Sequence, residues 1–556
     1  MMKDSKFPTC RPLDNARTIN ETRCPAISFS RRDFLATSAF LGVSTMLDKV
    51  AASQTPSGAQ IVRKDTRELA QSPDELDKYR EAFRRLKNKG PERPVWQNPS
   101  DANPYVPPLN NLQPLGYAYQ AALHNYHCPH GNWWFLPWHR VYLFYFEQVL
   151  RAAVADYKPD VPLAIPYWNW TDQRDLPDVF RGDPSTNPLA DDRRYWDPQA
   201  TPETALTDAD VGQTTMSADV DNVGAFEDFG SSSVCQFRDQ GRMSPFESAP
   251  HGMVHVRVGW YDGNPIGPWH YGRPGTFRYV PTAAFDPVFW SHHANLDRLW
   301  NYWLSLADPS TPGDHQNPAF DSPCPNGQAT WGGIQFPDFV DGTGMVVNRT
   351  LQASLTDPAL QGVAYKTYMD GIVAMRPQTR GAAMRESTPR TTTASITATP
   401  LLRVGAPVTL SIDTNADEVR ERVRSVMTAR NPKGRAAPLM FHINELDVPE
   451  NGAPPLEVRA FVNKTDAKAE TPTSDPHFAG SFGFFGTHAG GHAMGPSKAN
   501  FALNLGPTVR RLGAQLDLAK PITVTLVLVP MVNPSKAKGL PLSLPFKEAK
   551  VLLDRR

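Results

Sequence analysis

The stretch that most constrains the fold runs from Gln120 to Glu147 and reads QAALHNYHCPHGNWWFLPWHRVYLFYFE. It contains one cysteine and four histidines, namely Cys128, His124, His127, His130 and His139. The surrounding Trp, Phe and Tyr side chains suit the wall of a buried site better than a hydrated surface. Neutral imidazoles without a carboxylate suit copper, zinc or nickel and disfavour magnesium or calcium, and copper stands highest in that affinity series. The stretch therefore predicts a buried transition-metal site.

The composition of the chain limits its class. Its 556 residues are too many for one ordinary core, so two domains with tails are expected. Lys and Arg number 57 and Asp and Glu also number 57, without a basic run, which argues against nucleic acid or an anionic membrane as a partner. An aromatic content of 10% indicates a large packed interior and not disorder.

Residues 30–52 read SRRDFLATSAFLGVSTMLDKVAA and resemble a twin-arginine export signal. The apolar run after Arg31 and Arg32 is too short to span a membrane, and a short buried helix is the alternative. We predict that residues 1–52 are removed, which leaves a periplasmic or secreted bacterial protein without a membrane anchor. An oxidising compartment permits a disulfide between Cys235 and Cys324.

Helical periodicity places the first group of histidines. After a scaffold helix at 72–90, one helix is expected from about Leu115 to Asn125 and another from His139 to about Tyr157. These two helices can direct His124 and His139 to one point, with His130 supplied by the loop between them. His127 remains an alternative to His124. The following stretch, 171–245, is rich in Asp, Gly, Ser and Thr and predicts long surface loops.

A second group of histidines follows. His251 and His255 are four residues apart, which puts both on one face of a helix. Adjacent helical residues point about 100° apart, so only one of His292 and His293 can face an ion. Asp297 could accept the free ring N–H of His293, which favours His293 as the ligand and leaves His292 beside it. Two sites of three histidines without a carboxylate suit a coupled pair of copper ions that bind O2 between them.

The stretches HNYHCPHGNWWFLPWHR and FDPVFWSHHANLDRLW resemble the two copper-binding motifs of the tyrosinase, catechol oxidase and haemocyanin superfamily, over roughly residues 75–370. The resemblance implies a mainly α fold in which a four-helix bundle with long loops holds two copper ions as a type-3 dicopper centre. It implies O2 as co-substrate and small phenols as substrates. By position, the ligands of copper A would be His124, His130 and His139, and those of copper B His251, His255 and His293.

The resemblance also bears on neighbouring positions. Cys128 matches a cysteine that some members join by a thioether to the histidine that is His130 here; a free thiol is the alternative. Glu247 resembles a glutamate that holds a water near the site, although it could be an ordinary acid at a helix N-terminus. Gly252 stands where some hydroxylating members have Asn, which puts monophenol hydroxylation in doubt. Val280 stands where plant enzymes can have a bulky gate residue, so an open pocket is expected.

The C-terminal part has a different pattern. Residues 376–400 are polar and Thr-rich, and they predict a linker between a dicopper domain at 53–375 and a C-terminal domain at 401–556. Short alternating runs without a long helical period predict a β-sandwich there. The runs VRAFVN, HFAGSFGFFGTH and ITVTLVLVP resemble the C-terminal domain of plant polyphenol oxidases. That resemblance implies a lid that keeps the enzyme latent until the linker is cut; a separate binding module is the alternative. His488 and His492 are expected to be solvent histidines.

Together these features predict a secreted polyphenol oxidase that converts o-diphenols to o-quinones with O2, with hydroxylation of monophenols left open. A haemocyanin-like reversible O2 carrier would have the same ligands and is the main alternative. A zinc hydrolase of the His-Glu-x-x-His type would need a glutamate at the position of Gly252.

Overall fold

The computed structural model describes residues 61–90, 94, 104–237, 239–264, 272–308, 310–311, 313–324, 329–366, 372–374, 391–392, 401–412, 417–428, 438–448, 455–487, 497–532 and 543–553. The predictions for the export signal, for most of the linker and for His488 and His492 lie outside these residues.

The first part of the chain is mainly helical. Its described α-helices are α1 (Thr66–Ala70), α2 (Pro73–Lys87), α3 (Tyr117–His127), α4 (Phe135–Ala153), α5 (Asp208–Val211), α6 (Gln213–Met216), α7 (Phe226–Phe229), α8 (Gly252–Gly259), α9 (Val288–Ser305), α10 (Leu351–Leu355) and α11 (Pro358–Gln361). None of the helices that the structure describes combines the length and apolar character of a membrane span. The prediction of a helical core is confirmed, whereas its arrangement as a four-helix bundle stays a prediction.

Helix α4 begins four residues earlier than the sequence predicts. Pro137 is its third residue, and a proline is tolerated in the first turn because the N–H groups there have no partner within the helix. The side chain of Asn132 accepts a hydrogen bond from the backbone N–H of Trp134 at 3.0 Å just before the helix. His139 therefore lies in the second turn of α4 and not at its start.

The stretch 171–245 is more buried than the sequence predicts. It contains α5, α6 and α7, and the ring of Phe229 in α7 stacks on Trp303 with centroids 4.6 Å apart. Phe226 and Val211 are also buried. The prediction of surface loops is thus wrong in part, because the apolar residues of this stretch are too widely spaced to show a period.

The C-terminal part is rich in sheet. The described strands of the chain are β1 (Ile61–Arg63), β2 (Arg242–Met243), β3 (Val363–Lys366), β4 (Ile372–Ala374), β5 (Thr391–Thr392), β6 (Leu401–Arg403), β7 (Val408–Ile412), β8 (Met440–Val448), β9 (Leu456–Val462), β10 (Phe478–Phe482), β11 (Ser497–Asn504), β12 (Ile522–Pro530), β13 (Ser543–Pro545) and β14 (Glu548–Leu553). They form sheets with the strand orders β1-β3-β4, β10-β9-β12-β7, β2-β11-β8-β14-β5 and β13-β6. A C-terminal sheet region is confirmed; its packing as a sandwich stays a prediction.

The expectation that the C-terminal part has no long helical stretch is wrong, and the question of a bond between Cys235 and Cys324 was open. A helix, α12 (Asp417–Thr428), interrupts the strands, and α13 (Gly506–Leu512) follows β11. Val419, Val423 and Val426 form the buried face of α12, but charged residues between these valines hide the period in the sequence. Cys235 and Cys324 are not joined by a disulfide in the structure.

The helical and sheet regions are closely joined. Strand β2, from the helical region, pairs in parallel with β11, so that Arg242 and Met243 lie opposite Asn500 and Phe501. All described residues fall within one compact unit, Ser53–Arg556. The C-terminal strands therefore have a defined position relative to the histidine-bearing helices.

Charged side chains meet in the dry interior beside those helices. Asp297 on α9 accepts hydrogen bonds from Arg140 on α4, from the Tyr365 hydroxyl and, at 3.0 Å, from Arg63 on β1. Arg63 also donates two hydrogen bonds of 3.2 Å to Glu147. All four charged side chains are buried, so each one depends on the others for its solvation.

Replacing Asp297 by Asn should lower the free energy of unfolding by about 3 kcal/mol, because Arg140 and Arg63 would lose a buried counter-charge. Chemical denaturation of the full chain measures this. Asp517→Asn is the matched control, since its partner Lys520 is 78% exposed. That change should cost under about 1 kcal/mol. Equal losses in the two variants would contradict the assigned role of Asp297.

Candidate metal centre

Six buried histidines from six separate turns converge on one region. Four of them lie on α-helices, namely His124 on α3, His139 on α4, His255 on α8 and His293 on α9. His130 lies in the loop before α4, and His251 is the last residue of the π-helical turn Glu247–His251. These are the six ligands that the sequence predicts. The structure brings all of them together.

In the first trio the ring centroid of His124 lies 5.7 Å from that of His130 and 5.8 Å from that of His139. His124 donates its Nδ1 proton to the carbonyl of Val280 at 2.8 Å, and His139 donates to the carbonyl of Phe135 at 2.7 Å. A proton on Nδ1 leaves the lone pair of Nε2 for a metal. The Nε2 atom of His124 is buried and has no partner among the described residues.

In the second trio the centroids of His251 and His255 are 4.9 Å apart, and that of His293 is 5.3 and 5.7 Å from them. His251 donates from Nδ1 to the carbonyl of Glu247 at 3.1 Å, and His255 donates to the carbonyl of Phe277 at 2.8 Å. Their Nε2 atoms, like both ring nitrogens of His293, are buried without a partner in the part of the chain that the structure describes.

The two trios are direct neighbours. The rings of His139 and His293 are nearly parallel, at an interplanar angle of 6°, with centroids 4.1 Å apart. The rings of His130 and His251 are 5.6 Å apart. Ligand atoms of His293 lie within 4.8 Å of those of His124 and His139 as well as of those in its own trio. Ions held by the two trios would therefore be close together.

The chemistry of these residues fits metal ions. Leaving a polar nitrogen buried without a partner is costly, and several Nε2 atoms here would be satisfied by coordination. Burial lowers the pKa of all six imidazoles, in the case of His124 to about 4, so they are neutral near pH 7. Neutral imidazole is the form that binds a metal. Nitrogen donors without carboxylates suit copper or zinc.

Hydrogen bonding distinguishes His293 from His292. The indole N–H of Trp170 donates to Nδ1 of His292 at 3.1 Å. A neutral His292 must then carry its proton on Nε2, which leaves no lone pair there for an ion. His292 lies among the ligand atoms of the second trio, but this contact favours His293 as the ligand. The choice agrees with the sequence prediction, although its reason differs.

The predicted bond between Asp297 and His293 is wrong. Asp297 is occupied by Arg140, Arg63 and the Tyr365 hydroxyl, and Nδ1 of His293 has no partner among the described residues. One helical turn does bring Asp297 near His293, but two buried guanidinium groups compete for the carboxylate and carry full charges. Asp297 therefore fixes α9 relative to α4 and does not form a hydrogen bond with the ring of His293.

His127 lies outside the groups of neighbouring ligand atoms found among the described residues. Its Nε2 atom lies 2.7 Å from a carboxylate oxygen of Asp338. His124 and His127 both belong to α3, three residues apart. The contact with Asp338 favours His124 over His127 as the ligand.

Cys128 and Glu247 support the loop that carries His130. The sulphur of Cys128 lies 3.7 and 3.6 Å from the two ring nitrogens of His130, and burial raises the pKa of its thiol. The thioether stays a prediction. The carboxylate of Glu247 accepts the N–H of Gly131 at 2.7 Å and the hydroxyl of Ser231, and burial raises its pKa to about 8.

A residue that the sequence analysis did not single out covers the histidines. The ring of Phe485, between β10 and β11, is parallel to that of His255 with centroids 3.9 Å apart. It also lies 5.3 Å from His251 and 5.7 Å from His130. The Gly-Phe-Phe-Gly sequence at 483–486 was the available signal, since glycines permit the close approach of a loop.

The neighbouring glycine confirms how closely this loop approaches. Gly486 has φ +73°, and a Cβ atom there would lie 2.9 Å from the ring of His130. Gln240 donates to the carbonyl of Gly486 at 3.1 Å. A Cβ atom at Gly252 would lie 3.6 Å from the Cβ atom of Phe485. Gly252 thus faces the covering loop, whereas Val280 contributes the carbonyl that holds His124.

Parts of this chain are similar to known proteins. Residues 114–306 match the family described as the common central domain of tyrosinase. Tyrosinase HcTyr1 of Hahella sp. (strain CCB-MM4) is 32% identical over 208 residues, which are 33% of this chain and 39% of that protein. The latent polyphenol oxidase of Prunus armeniaca is 26% identical over 427 residues, 73% of this chain and 63% of that protein. The chain thus matches less than two thirds of the length of either relative.

Two solved structures share the fold. A recombinant latent aurone synthase (polyphenol oxidase) has a TM-score of 0.59 at 18% identity, covering 90% of this chain and 91% of that one. Latent apple tyrosinase has a TM-score of 0.56 at 19% identity, covering 89% of this chain and 97% of that one. Both matches extend across the helical and the sheet regions.

Replacing His293 by Ala should reduce bound copper from about two ions per chain to about one, because three imidazoles are needed to hold each ion. Elemental analysis of the copper-loaded full chain measures this. His292→Ala is the matched control and should retain both ions. Loss of copper from His292→Ala with retention in His293→Ala would reverse the assignment.

Proposed function

The chain belongs to the tyrosinase family through residues 114–306, and from this premise we propose that it is a copper-dependent polyphenol oxidase that oxidises o-diphenols to o-quinones with O2. The observation that carries the proposal is the convergence of six buried histidines, four of which (His124, His251, His255 and His293) have a buried Nε2 atom without a partner among the described residues. The relatives are described as tyrosinase and polyphenol oxidase, so a reversible O2 carrier gains no support from them.

In this reaction the residues of the chain would hold the copper ions and exclude water from the site. His124, His130 and His139 would hold one copper ion, and His251, His255 and His293 the other. When bound, the two copper ions supply O2 binding and the electron transfer that oxidises the phenol. Backbone carbonyls keep the Nε2 lone pairs directed inward. The ring of Phe135, 5.0 Å from His139 and 4.7 Å from His251, keeps the space between the trios dry.

Two observations support diphenol oxidation over hydroxylation of monophenols. Gly252 offers no amide that could help a base take a phenol proton. Both oxygens of the Glu247 carboxylate already accept hydrogen bonds, from Gly131 and from Ser231. Oxidation of a catechol depends less on the residues at positions 247 and 252, because both oxygens of the catechol are already part of the substrate.

We also propose that the protein is latent. Phe485 lies flat against His255, where a phenol ring would have to enter. Residues 376–400 join the two regions, and cutting there would allow the C-terminal strands to leave. Proteins whose names describe them as latent are similar to most of this chain. Export by the twin-arginine route, which carries folded proteins, would let the site receive copper first.

Oxygen uptake by the copper-loaded protein tests the proposed reaction. We expect uptake with a catechol after cutting within 376–400, little uptake by the intact chain, and none with the matched monophenol. Uptake with the monophenol without a lag would refute the diphenolase assignment. Absence of uptake in every form, with two copper ions bound, would refute the enzyme assignment altogether.

Phe485→Ala should raise the kcat/KM of the uncut protein for a catechol by about tenfold, because the ring of Phe485 covers His255. A tenfold change corresponds to a free-energy difference of about 1.4 kcal/mol. Initial rates of quinone formation measure this. Phe478→Ala is the control, since Phe478 packs on Phe461 in the sheet region at 5.6 Å. An equal rise in both variants would mean that general loosening opens the site, and not removal of one ring.

A further inference from the structure

We propose that Thr282 is a positioning residue that orients one histidine of each copper site through a single loop. The inference rests on the proposed dicopper function. The loop is the segment 276–285, between α8 and α9, and it contains the 3-10 turns Thr276–Arg278 and Ala283–Phe285.

Two carbonyls of this loop, three residues apart, serve the two trios. The carbonyl of Phe277 accepts the Nδ1 proton of His255 at 2.8 Å, and the carbonyl of Val280 accepts that of His124 at 2.8 Å. Each bond selects the tautomer and the ring orientation that present Nε2 to a metal. One short segment thus determines a ligand of each site.

The other histidines with such a bond do not need the loop. His139 donates to the carbonyl of Phe135 and His251 to that of Glu247, each four residues earlier in its own helical turn. Those two bonds are local and follow from the backbone of the helix. His124 and His255 instead depend on carbonyls 156 and 22 residues away.

The hydroxyl of Thr282 closes the loop around these two carbonyls. It donates to the carbonyl of Thr276 at 2.7 Å and lies 3.1 Å from that of Tyr279. The backbone N–H of Thr282 already donates to the Tyr279 carbonyl at 2.9 Å. The bond that depends on the hydroxyl is therefore the one to Thr276, and it spans both ligand-holding carbonyls.

Thr282 braces the loop from within, together with backbone hydrogen bonds such as that from the N–H of Ala283 to the carbonyl of Val280. The ends of the loop are held from outside, because Thr276 donates its N–H to the carbonyl of Arg193 at 2.9 Å and the Tyr117 hydroxyl donates to the carbonyl of Ala284 at 3.0 Å. Thr282 is 7% exposed, so water cannot readily replace its hydroxyl. Without the brace, the middle of the loop can relax while its ends stay fixed.

Thr282→Val, which keeps the shape and removes the hydroxyl, should weaken copper binding at both sites together by about 10-fold to 100-fold. Copper retained per chain is measured by elemental analysis while the copper-loaded full chain competes with a chelator of known affinity. Thr282→Ser keeps the hydroxyl and should bind copper within about threefold of the unchanged protein. This readout does not depend on turnover.

Thr204→Val is the matched control. Thr204 is also buried, and its hydroxyl donates to the carbonyl of Thr201 at 2.8 Å in a 3-10 turn of the same region. It should retain both copper ions. Unchanged copper affinity in Thr282→Val, equal loss in Thr282→Ser, or equal loss in Thr204→Val would each overturn the inference. Failure of the unchanged protein to bind copper would instead remove the proposed function.

Discussion

The structure depends on one requirement. Several imidazoles must stay neutral and shielded from water, with their Nε2 atoms facing a common region. Water would satisfy their nitrogens at no cost, so the fold has to exclude it and supply other partners. Backbone carbonyls do this at Nδ1 for His124, His139, His251 and His255, and the Nε2 side is left for a metal. The aromatic wall and the covering loop follow from the same requirement.

Two buried charged residues, Arg140 and Asp297, hold together the helices that carry His139 and His293. Arg140 follows His139 on α4, and Asp297 lies four residues after His293 on α9. The ion pair between these two charged residues joins the helices just beside the stacked rings of the two histidines, which are 4.1 Å apart. An isolated charge would destabilise the fold in this buried position, and the ion pair offsets that desolvation cost.

The histidines that the structure brings together could be predicted from the sequence because their spacing is local. His251 and His255 share a helical face by their four-residue separation, and the histidines near Cys128 lie within one short stretch. Helical content and a C-terminal sheet region followed from hydrophobic periodicity. His293 as the ligand stays a prediction, whereas the partner assigned to it was wrong.

What escaped prediction depends on contacts between distant segments. Every residue has a carbonyl, so nothing in the sequence marks those of Phe277 and Val280 as acceptors. Arg63 lies 234 residues before Asp297, and no local sequence pattern indicates that it donates a hydrogen bond to this carboxylate. Phe485 is one of 27 phenylalanines, and only the folded chain distinguishes it from the others by placing it on His255.

The absence of a side chain at Gly252 has a consequence for how such proteins can diverge. A Cβ atom there would lie in contact with that of Phe485, at 3.6 Å, so a longer side chain would begin against this loop. Inheritance of a larger residue at 252 is therefore tied to the shape of a segment more than two hundred positions away. The residue at 252 and the loop around Phe485 would have to change together to keep this contact.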